Sequence, residues 1–319
     1  MKYVIGIDIG GTNIKIGAVT LDGKIISYIA KKSRIFKDKK SAIKNLIQSV
    51  ESVKKSLKEN TLIGVGIGIA GTVLADRGIV YQSPNIPELE GIDIRKELSA
   101  KVSYPFFIDN DANVFALGEG WLGNAKGYKD FCCITLGTGV GGGIVIDNRI
   151  VHGFDGTAGE VGHIIVEPEG APCKCGGRGC LEAYASSTGL IRMAKQGFKT
   201  EKATALRKSC KDNAKNMSPE IIAKLARNGD VFCRGLFKKV GHYLGIAMTD
   251  LVNLLNLELI VVGGGLSNAG DLFLETAKKE MQKRSLKVPG KRIKIVTACC
   301  EEAGVVGAAH IALKGIRAL

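Results

Sequence analysis

The sequence predicts an α/β protein of two related halves, each offering a glycine-rich hairpin to a shared cleft. Three observations carry that expectation. The chain has 319 residues, room for roughly two domains of about 150 residues each. Apolar runs of strand length alternate with segments of helical periodicity, the pattern of layered α/β folds. A strand, glycine turn and strand over residues 4–19 recur over residues 131–147, and such a repeat points to two copies of one architecture.

In chain order, residues 2–7, 14–20 and 24–30 read as strands, the last two joined by the hairpin signal Asp22-Gly23. Ile43, Leu46, Ile47, Val50, Val53 and Leu57 recur at helical spacing over 39–58, and a buried strand follows at 62–69. A short helix near 93–101, a strand at 105–109 and a helix over 112–121 complete the first half. The second half opens with strand 131–136, glycine turn 137–142 and strand 143–147. Ser218-Pro219-Glu220 starts a helix, with serine as N-cap and proline in the first turn. A long helix over 230–256 carries Val240, Leu244, Ala247, Met248, Leu251, Leu254 and Leu255 toward the core. Strand 258–262, a helix near 270–284, strand 293–297 and a terminal helix from 303 close the chain.

Composition narrows the function classes. The 45 lysines and arginines against 31 acids give a formal charge of +14, compatible with nucleic acid, an anionic membrane or a nucleotide. Two basic runs, one of Lys31, Lys32, Arg34, Lys37, Lys39, Lys40 and Lys44 and one spanning 278–294, read as solvated faces. The apolar run after Met1-Lys2 stops at Asp8, too short for a signal peptide. The longest uncharged stretch, 131–146, is glycine-rich and falls short of the ~20 apolar residues of a membrane helix. The expectation is a cytoplasmic protein. Its nine cysteines then read as reduced thiols or metal ligands, with no disulfide framework. His152, His242 and His310 read as surface or satisfied core residues.

The 42 glycines are nearly twice the usual ~7% and concentrate in turns between strands. At Asp8-Ile9-Gly10-Gly11-Thr12-Asn13 the missing Cβ atoms let backbone N–H groups reach a phosphate, the Thr12 hydroxyl adds a donor, and Asp8 suits hydrated magnesium. Gly137-Thr138-Gly139-Val140-Gly141-Gly142 has dinucleotide-site spacing, yet a strand follows where that site requires a helix. No P-loop pattern occurs. The pair of hairpins is expected to hold phosphates through Gly10, Gly11, Thr12, Gly137, Thr138 and Gly139, with φ freedom and close approach both required of Gly139. A third cluster, Gly263-Gly264-Gly265, offers bare backbone to an adenine or ribose.

His163, Cys173, Cys175 and Cys180 supply one imidazole and three thiolates, a set suited to tetrahedral zinc with no open position. Asp109 and Asp111 lie together at a strand end, and either can serve as a base or, at Asp111, as a helix N-cap.

Asp8-Ile9-Gly10-Gly11-Thr12, Leu136-Gly137-Thr138-Gly139-Val140-Gly141-Gly142-Gly143 and Val261-Val262-Gly263-Gly264-Gly265 resemble the phosphate-1, phosphate-2 and adenosine segments of the actin/hexokinase superfamily. Asn110-Asp111-Ala112-Asn113, Glu160-Val161-Gly162-His163 and the run from Cys173 to Glu182 are similar to those of the ROK sugar kinases, and the resemblance covers nearly the whole chain. It implies two ribonuclease-H-like domains flanking a cleft, drawn here as 1–110 plus 303–319 and 111–302, and a homodimer or dimer-based oligomer. It implies ATP and Mg2+ at Asp8, Gly10, Gly11, Thr12, Asn13, Lys15, Gly137, Thr138, Gly139, Gly263, Gly264 and Gly265. It assigns sugar contacts to Asn85, Asn110, Asp111, Glu160, His163 and Glu182, makes Asp111 the catalytic base, and places structural Zn2+ on His163, Cys173, Cys175 and Cys180. The implied reaction is phosphorylation of D-glucose to glucose 6-phosphate, with N-acetylmannosamine, N-acetylglucosamine, fructose and allose as alternative sugars. Regulators of the same family carry a winged-helix domain before the first hairpin. Only seven residues precede Asp8, so neither nucleic acid nor membrane is expected as a partner.

Overall fold

The computed structural model describes residues 1–33 and 36–318; Arg34 of the first basic run and Leu319 lie outside the described residues. Alternation builds the first sheet. In β1 (Lys2–Ile9), Tyr3, Ile5, Ile7 and Ile9 are fully buried among one set of side chains and Val4 among another, as the two-residue period requires. β2 (Asn13–Thr20) pairs antiparallel with β1, and β3 (Ile25–Lys32) pairs with β2 after the Asp22-Gly23 turn, where Gly23 has φ of 97°. Helix α1 (Lys39–Ser56) opens with a capping box in which Asp38 accepts from the Ser41 N–H. The chain then returns as β4 (Thr61–Ile69), parallel to β1.

A small three-stranded sheet of β5 (Thr72–Leu74), β6 (Ile79–Gln82) and β7 (Ile92–Asp93) was not foreseen, because strands this short carry too little periodicity to read. α2 (Ile94–Ser99), β8 (Phe106–Asn110) and α3 (Asp111–Leu122) follow, and the first sheet has the order β3-β2-β1-β4-β8. The repeated hairpin is present as β9 (Phe131–Leu136) and β10 (Val140–Ile146). Its strand begins three residues before the expected 143, since Gly137 N–H closes on Gly139 O at 2.9 Å and completes the turn within three residues.

Beyond β11 (Arg149–Ile150) come α4 (Glu182–Ala185), α5 (Ser187–Gly197), α6 (Thr204–Ser209), α7 (Pro219–Arg227) and α8 (Val231–Leu255). Ser218 and Asp230 cap the last two helices. β12 (Leu259–Gly263) leads into a 3-10 segment, Gly265–Leu272, then α9 (Leu274–Arg284), α10 (Lys287–Arg292), β13 (Lys294–Thr297) and α11 (Ala303–Ala318). The second large sheet has the order β11-β10-β9-β12-β13.

Two helices cover the first sheet. Ile43, Leu46, Val50 and Val53 of α1 bury Tyr3, Ile5, Ile7, Ile67 and Ile69, while Val305, Ala309, Ala312 and Leu313 of α11 bury Val4 and Val19. On the α11 side the helix lies on bare backbone: a Cβ on Gly6 would meet Val305 O at 2.0 Å, and one on Gly66 would meet Ala308 O at 1.7 Å. Part of the glycine excess is therefore packing of helix on sheet.

Contacts divide the chain into two compact units, Met1–Cys133 with Gly143–Gly159 and Ala298–Leu319, and Ile134–Gly142 with Glu160–Thr297. This division differs from the expected boundary at 110/111, because buried Glu119 of α3 accepts the N–H groups of Cys299 and Cys300 at 3.0 and 2.7 Å and binds α3 to the last segment of the first unit. Among the described residues, no helix is long and apolar enough to cross a membrane.

Candidate active site

In the first unit the β1–β2 hairpin and the β8–α3 corner bring acidic groups together. Gly10 N–H donates to Asn13 O at 3.0 Å, and Ser33 at the end of β3 clasps the tip, with its hydroxyl on Gly10 O and its N–H on Thr12 O. Burial pushes the Asp8 carboxyl up to about 7; the charges of Asp111 and Glu302 add to this and Lys15 opposes it. Lys15 meets Glu302 at 2.8 Å, and the Tyr28 hydroxyl donates to the same carboxylate. Glu302 escaped the sequence reading, as nothing local marks a residue whose partner lies nearly three hundred positions away.

Asn85 stands in a turn closed by Ile86 N–H on Ser83 O, and its side chain lies on Gly11, where a Cβ would be 2.9 Å from Asn85 Cβ. Asn110 is the N-cap of α3, accepting from Ala112 and Asn113, and its amide donates to Gly71 O at 2.8 Å. The cap considered for Asp111 therefore belongs to Asn110, and Asp111 is the first residue of the helix. The structure also separates the two aspartates that the residues alone left equivalent. Asp109 is 4% exposed and accepts from Asn110 N–H, Asn113 Nδ2 and His152 Nε2, each at 2.8 Å, whereas Asp111 is half-buried.

In the second unit the β9–β10 turn packs on the segment after the cysteine cluster. Glu182 accepts the Val140 N–H at 3.0 Å, Ser187 N–H donates to Gly137 O at 2.8 Å, and the Thr188 hydroxyl donates to Thr138 O at 2.8 Å. A Cβ on Gly139 would lie 2.3 Å from the Glu182 carboxylate. Gly139 φ is not in the left-handed region, so close approach, and not the expected φ freedom, requires glycine there. Ser186 and Thr188 were missed, although Ser186-Ser187-Thr188 carries an N-cap signal that Ser186 fulfils for α5.

The ligand atoms of His163, Cys173, Cys175 and Cys180 all lie within 4.8 Å of one another. Cys173 Sγ is 3.8 Å from His163 Nδ1 and Cys175 Sγ is 3.7 Å from Cys180 Sγ. A tetrahedron with Zn–S bonds of ~2.3 Å has edges of roughly 3.7 Å, so this donor set fits zinc. Gly176 and Gly179 take φ of 92° and 73°, turning the loop around the cluster. The other ring nitrogen of His163, Nε2, faces Glu160 at 3.9 Å. Partial burial and the Glu182 charge raise the Glu160 carboxyl above its ordinary value, against the pull of His163.

At the third glycine cluster Gly263 ends β12, and Gly264, with φ of 83°, packs on Leu136 O, where a Cβ would come within 2.5 Å. Gly265 is open, with nothing within 4 Å of its Cβ position. Of the remaining histidines, His242 pairs with Glu280 at 3.4 Å and His310 packs its ring at a tilt against Trp121, with centroids 4.8 Å apart.

A strand–glycine turn–strand in each unit, with carboxylates at strand ends, defines the actin/hexokinase-like fold, and the structural neighbours have that fold. The chain belongs to the ROK family, whose model matches residues 4–315. It is 37% identical over 315 residues to a glucokinase of Halalkalibacterium halodurans, covering 96% of this chain and 93% of the relative. A ROK family glucokinase from Streptomyces griseus, in complex with glucose and AMPPNP, superposes with a TM-score of 0.84 at 34% identity, covering 98% of this chain and all of that one. A xylose repressor of Caldicellulosiruptor bescii is 32% identical over 95% of this chain and 76% of its own length.

Proposed function

We propose that this protein is an ATP-dependent glucokinase, transferring the γ-phosphoryl of Mg-ATP to D-glucose to give glucose 6-phosphate and ADP. Its likeness to the glucokinases over nearly the full chain supports the activity. One observation carries the site: each glycine hairpin rests its bare backbone on a residue assigned to the sugar, Gly11 on Asn85 and Gly139 on Glu182. Groups that hold phosphate and groups that hold sugar are then parts of the same local structures. Gly10 and Gly137 N–H close their own turns, which leaves Gly11, Thr12, Thr138 and Gly139 as the phosphate donors among the six expected. Asp8, destabilised as a carboxylate by burial and by Asp111, suits Mg2+, and Gly265 suits the nucleoside.

Asp111 removes the proton of the attacking sugar hydroxyl, whose oxygen forms the bond to γ-phosphorus as the bond to the β-phosphate oxygen breaks. Glu160, His163 and Glu182 orient the sugar. Zinc on His163, Cys173, Cys175 and Cys180 supplies structural rigidity to that segment. We further infer a cytoplasmic location and a homodimer or dimer-based oligomer, the assembly to be checked by sedimentation. The xylose-repressor relative keeps a sugar-responsive regulator as the second reading. ADP release measured against a panel of hexoses tests the activity and its sugar. Glucose-dependent release supports the proposal, preference for another hexose redirects it, and sugar binding without release favours the regulator.

A further inference from the structure

Buried Asp109 requires a counter-charge, and the structure supplies one. Its Oδ1 takes the Asn110 N–H and Asn113 Nδ2, both at the start of α3, and its Oδ2 takes His152 Nε2 at 2.8 Å. Asn113 is 1% exposed, so this bonding is internal to the protein. The imidazole comes from a separate stretch of the first unit, where His152 O accepts from Gly156 and Ala158 N–H and Gly156 is buried against Val73 O. His152 is thus held from both sides. Its side chain remains 35% exposed, which lets it exchange protons with solvent.

We propose that His152 is a positioning residue for phosphoryl transfer, which as a cation neutralises Asp109 and so holds the β8–α3 corner that carries Asp111. This rests on Asp111 being the base. The charged groups that act on His152 are Asp109 and Asp76; the hydrogen bond to Asp109 and both negative charges favour the protonated ring, and burial opposes them. The cation is therefore present at lower pH and lost as pH rises through a value above histidine's ordinary one. Deprotonation leaves Asp109 as a buried charge with no counter-cation, held only by neutral hydrogen-bond donors, and the corner with Asp111 relaxes. A misplacement of about 1 Å at a reacting group costs up to about 10²-fold in rate.

The test compares wild type with His152→Ala, His152→Arg and Asp109→Asn. Turnover and both KM values are measured from about pH 6 to 9, the usual histidine span of about pH 5–8 moved upward because the His152 imidazole is raised. His152→Ala should lower kcat by about tenfold or more while KM for ATP moves by less than about twofold. His152→Arg, charged throughout, should restore most of kcat and flatten its alkaline decline. Wild-type kcat in His152→Ala, or an unchanged alkaline decline in His152→Arg, overturns the proposal. Two readouts do not depend on catalysis. The His152 titration followed by NMR should move to lower pH in Asp109→Asn, and amide protection at Ala112 and Asn113, taken relative to the intrinsic exchange rate at each pH, should fall in His152→Ala or, if that variant does not fold, in wild type above the titration. If both are unchanged the pairing is not functional. If both respond but no sugar is phosphorylated, the kinase reading fails and the positioning of the corner stands.

Discussion

The two glycine hairpins have the same sequence plan but are made rigid by different means. The first is the end of a buried sheet: Ile7, Ile9, Ile14 and Ile16 beneath it are almost wholly inaccessible, and Ser33 clasps the tip through backbone and hydroxyl bonds. The second is gripped from outside by Glu182, Ser187 and Thr188, which follow a loop whose residues 174–178 are all exposed. That loop has little apolar packing of its own, and the proposed zinc on its cluster of three thiols and one imidazole would replace it. A glycine hairpin can thus be ordered by hydrophobic burial, which is spread over many residues, or by a few directional bonds anchored at one point. The second kind fails in one step when its anchor is removed.

The comparison yields predictions of decreasing size. Loss of the proposed base in the first unit should have the largest effect: Asp111→Asn is expected to reduce kcat by about 10²–10⁴-fold, the usual worth of a general base, with ATP affinity by calorimetry little changed. Near wild-type turnover in that variant would transfer the role elsewhere, with Asp109 next in line.

Loss of the anchor in the second unit comes next. Cys175→Ser, or strong chelation, should leave the protein folded because its sheets have their own cores, yet lower glucose affinity or turnover by at least about tenfold, the lower end for disturbed metal-site support. Glu182 and Thr188 touch the phosphate hairpin, so ATP affinity should weaken as well. Mass spectrometry of the intact native protein should find about one zinc per chain for four ligands of this kind. Normal glucose kinetics in a metal-free protein would remove the assumed difference between the two hairpins.

A matched pair of alanines probes the packing directly. At Gly139 a Cβ meets the Glu182 carboxylate at 2.3 Å, whereas at Gly10 the nearest atom is Asn13 O at 3.4 Å. Gly139→Ala should therefore lower kcat/KM for glucose by about tenfold, within the range for sub-ångström misplacement, and Gly10→Ala should be much milder. Equal effects would mean that the turns, and not Glu182, set the sensitivity.

The smallest expected effect concerns stability of the first unit in acid. Burial, followed by the charges of Lys314 and Arg317, pulls the His310 imidazole down to about 4. The unfolded chain, with histidine near its usual ~6.5, then binds more protons between these values, so stability is full above that upper value and is lost as pH falls toward 4. His310→Phe keeps a ring against Trp121 and removes the titration. Its melting temperature should fall less than that of wild type between about pH 7 and 4, a range set by the two titration values; parallel curves would assign acid sensitivity to other groups.

Most of the architecture was legible because it rests on patterns that repeat along the chain. Alternating isoleucines marked β1 and β2, helical spacing marked α1 and α8, and two strand–glycine–strand units marked the duplication. The cysteine cluster was equally legible, since its thiols fall within eight residues and few other chemistries need such a set. The short strands β5 to β7 and the placement of α3 were not, for their stability comes from partners distant in sequence.

The sequence alone determined which chemical groups are present: two glycine turns, a cluster of three thiols and one imidazole, and acidic residues near strand ends, all encoded in residue type and local spacing. Tertiary structure decided what each group is free to do. It closed Gly10 and Gly137 N–H on their own turns, made Asn110 the helix cap, and enclosed Asp109 with His152 while leaving Asp111 half-buried. These outcomes depend on which donors reach which acceptors and on how much water each carboxylate retains, quantities set by chain segments far apart in sequence that folding brings within hydrogen-bond distance.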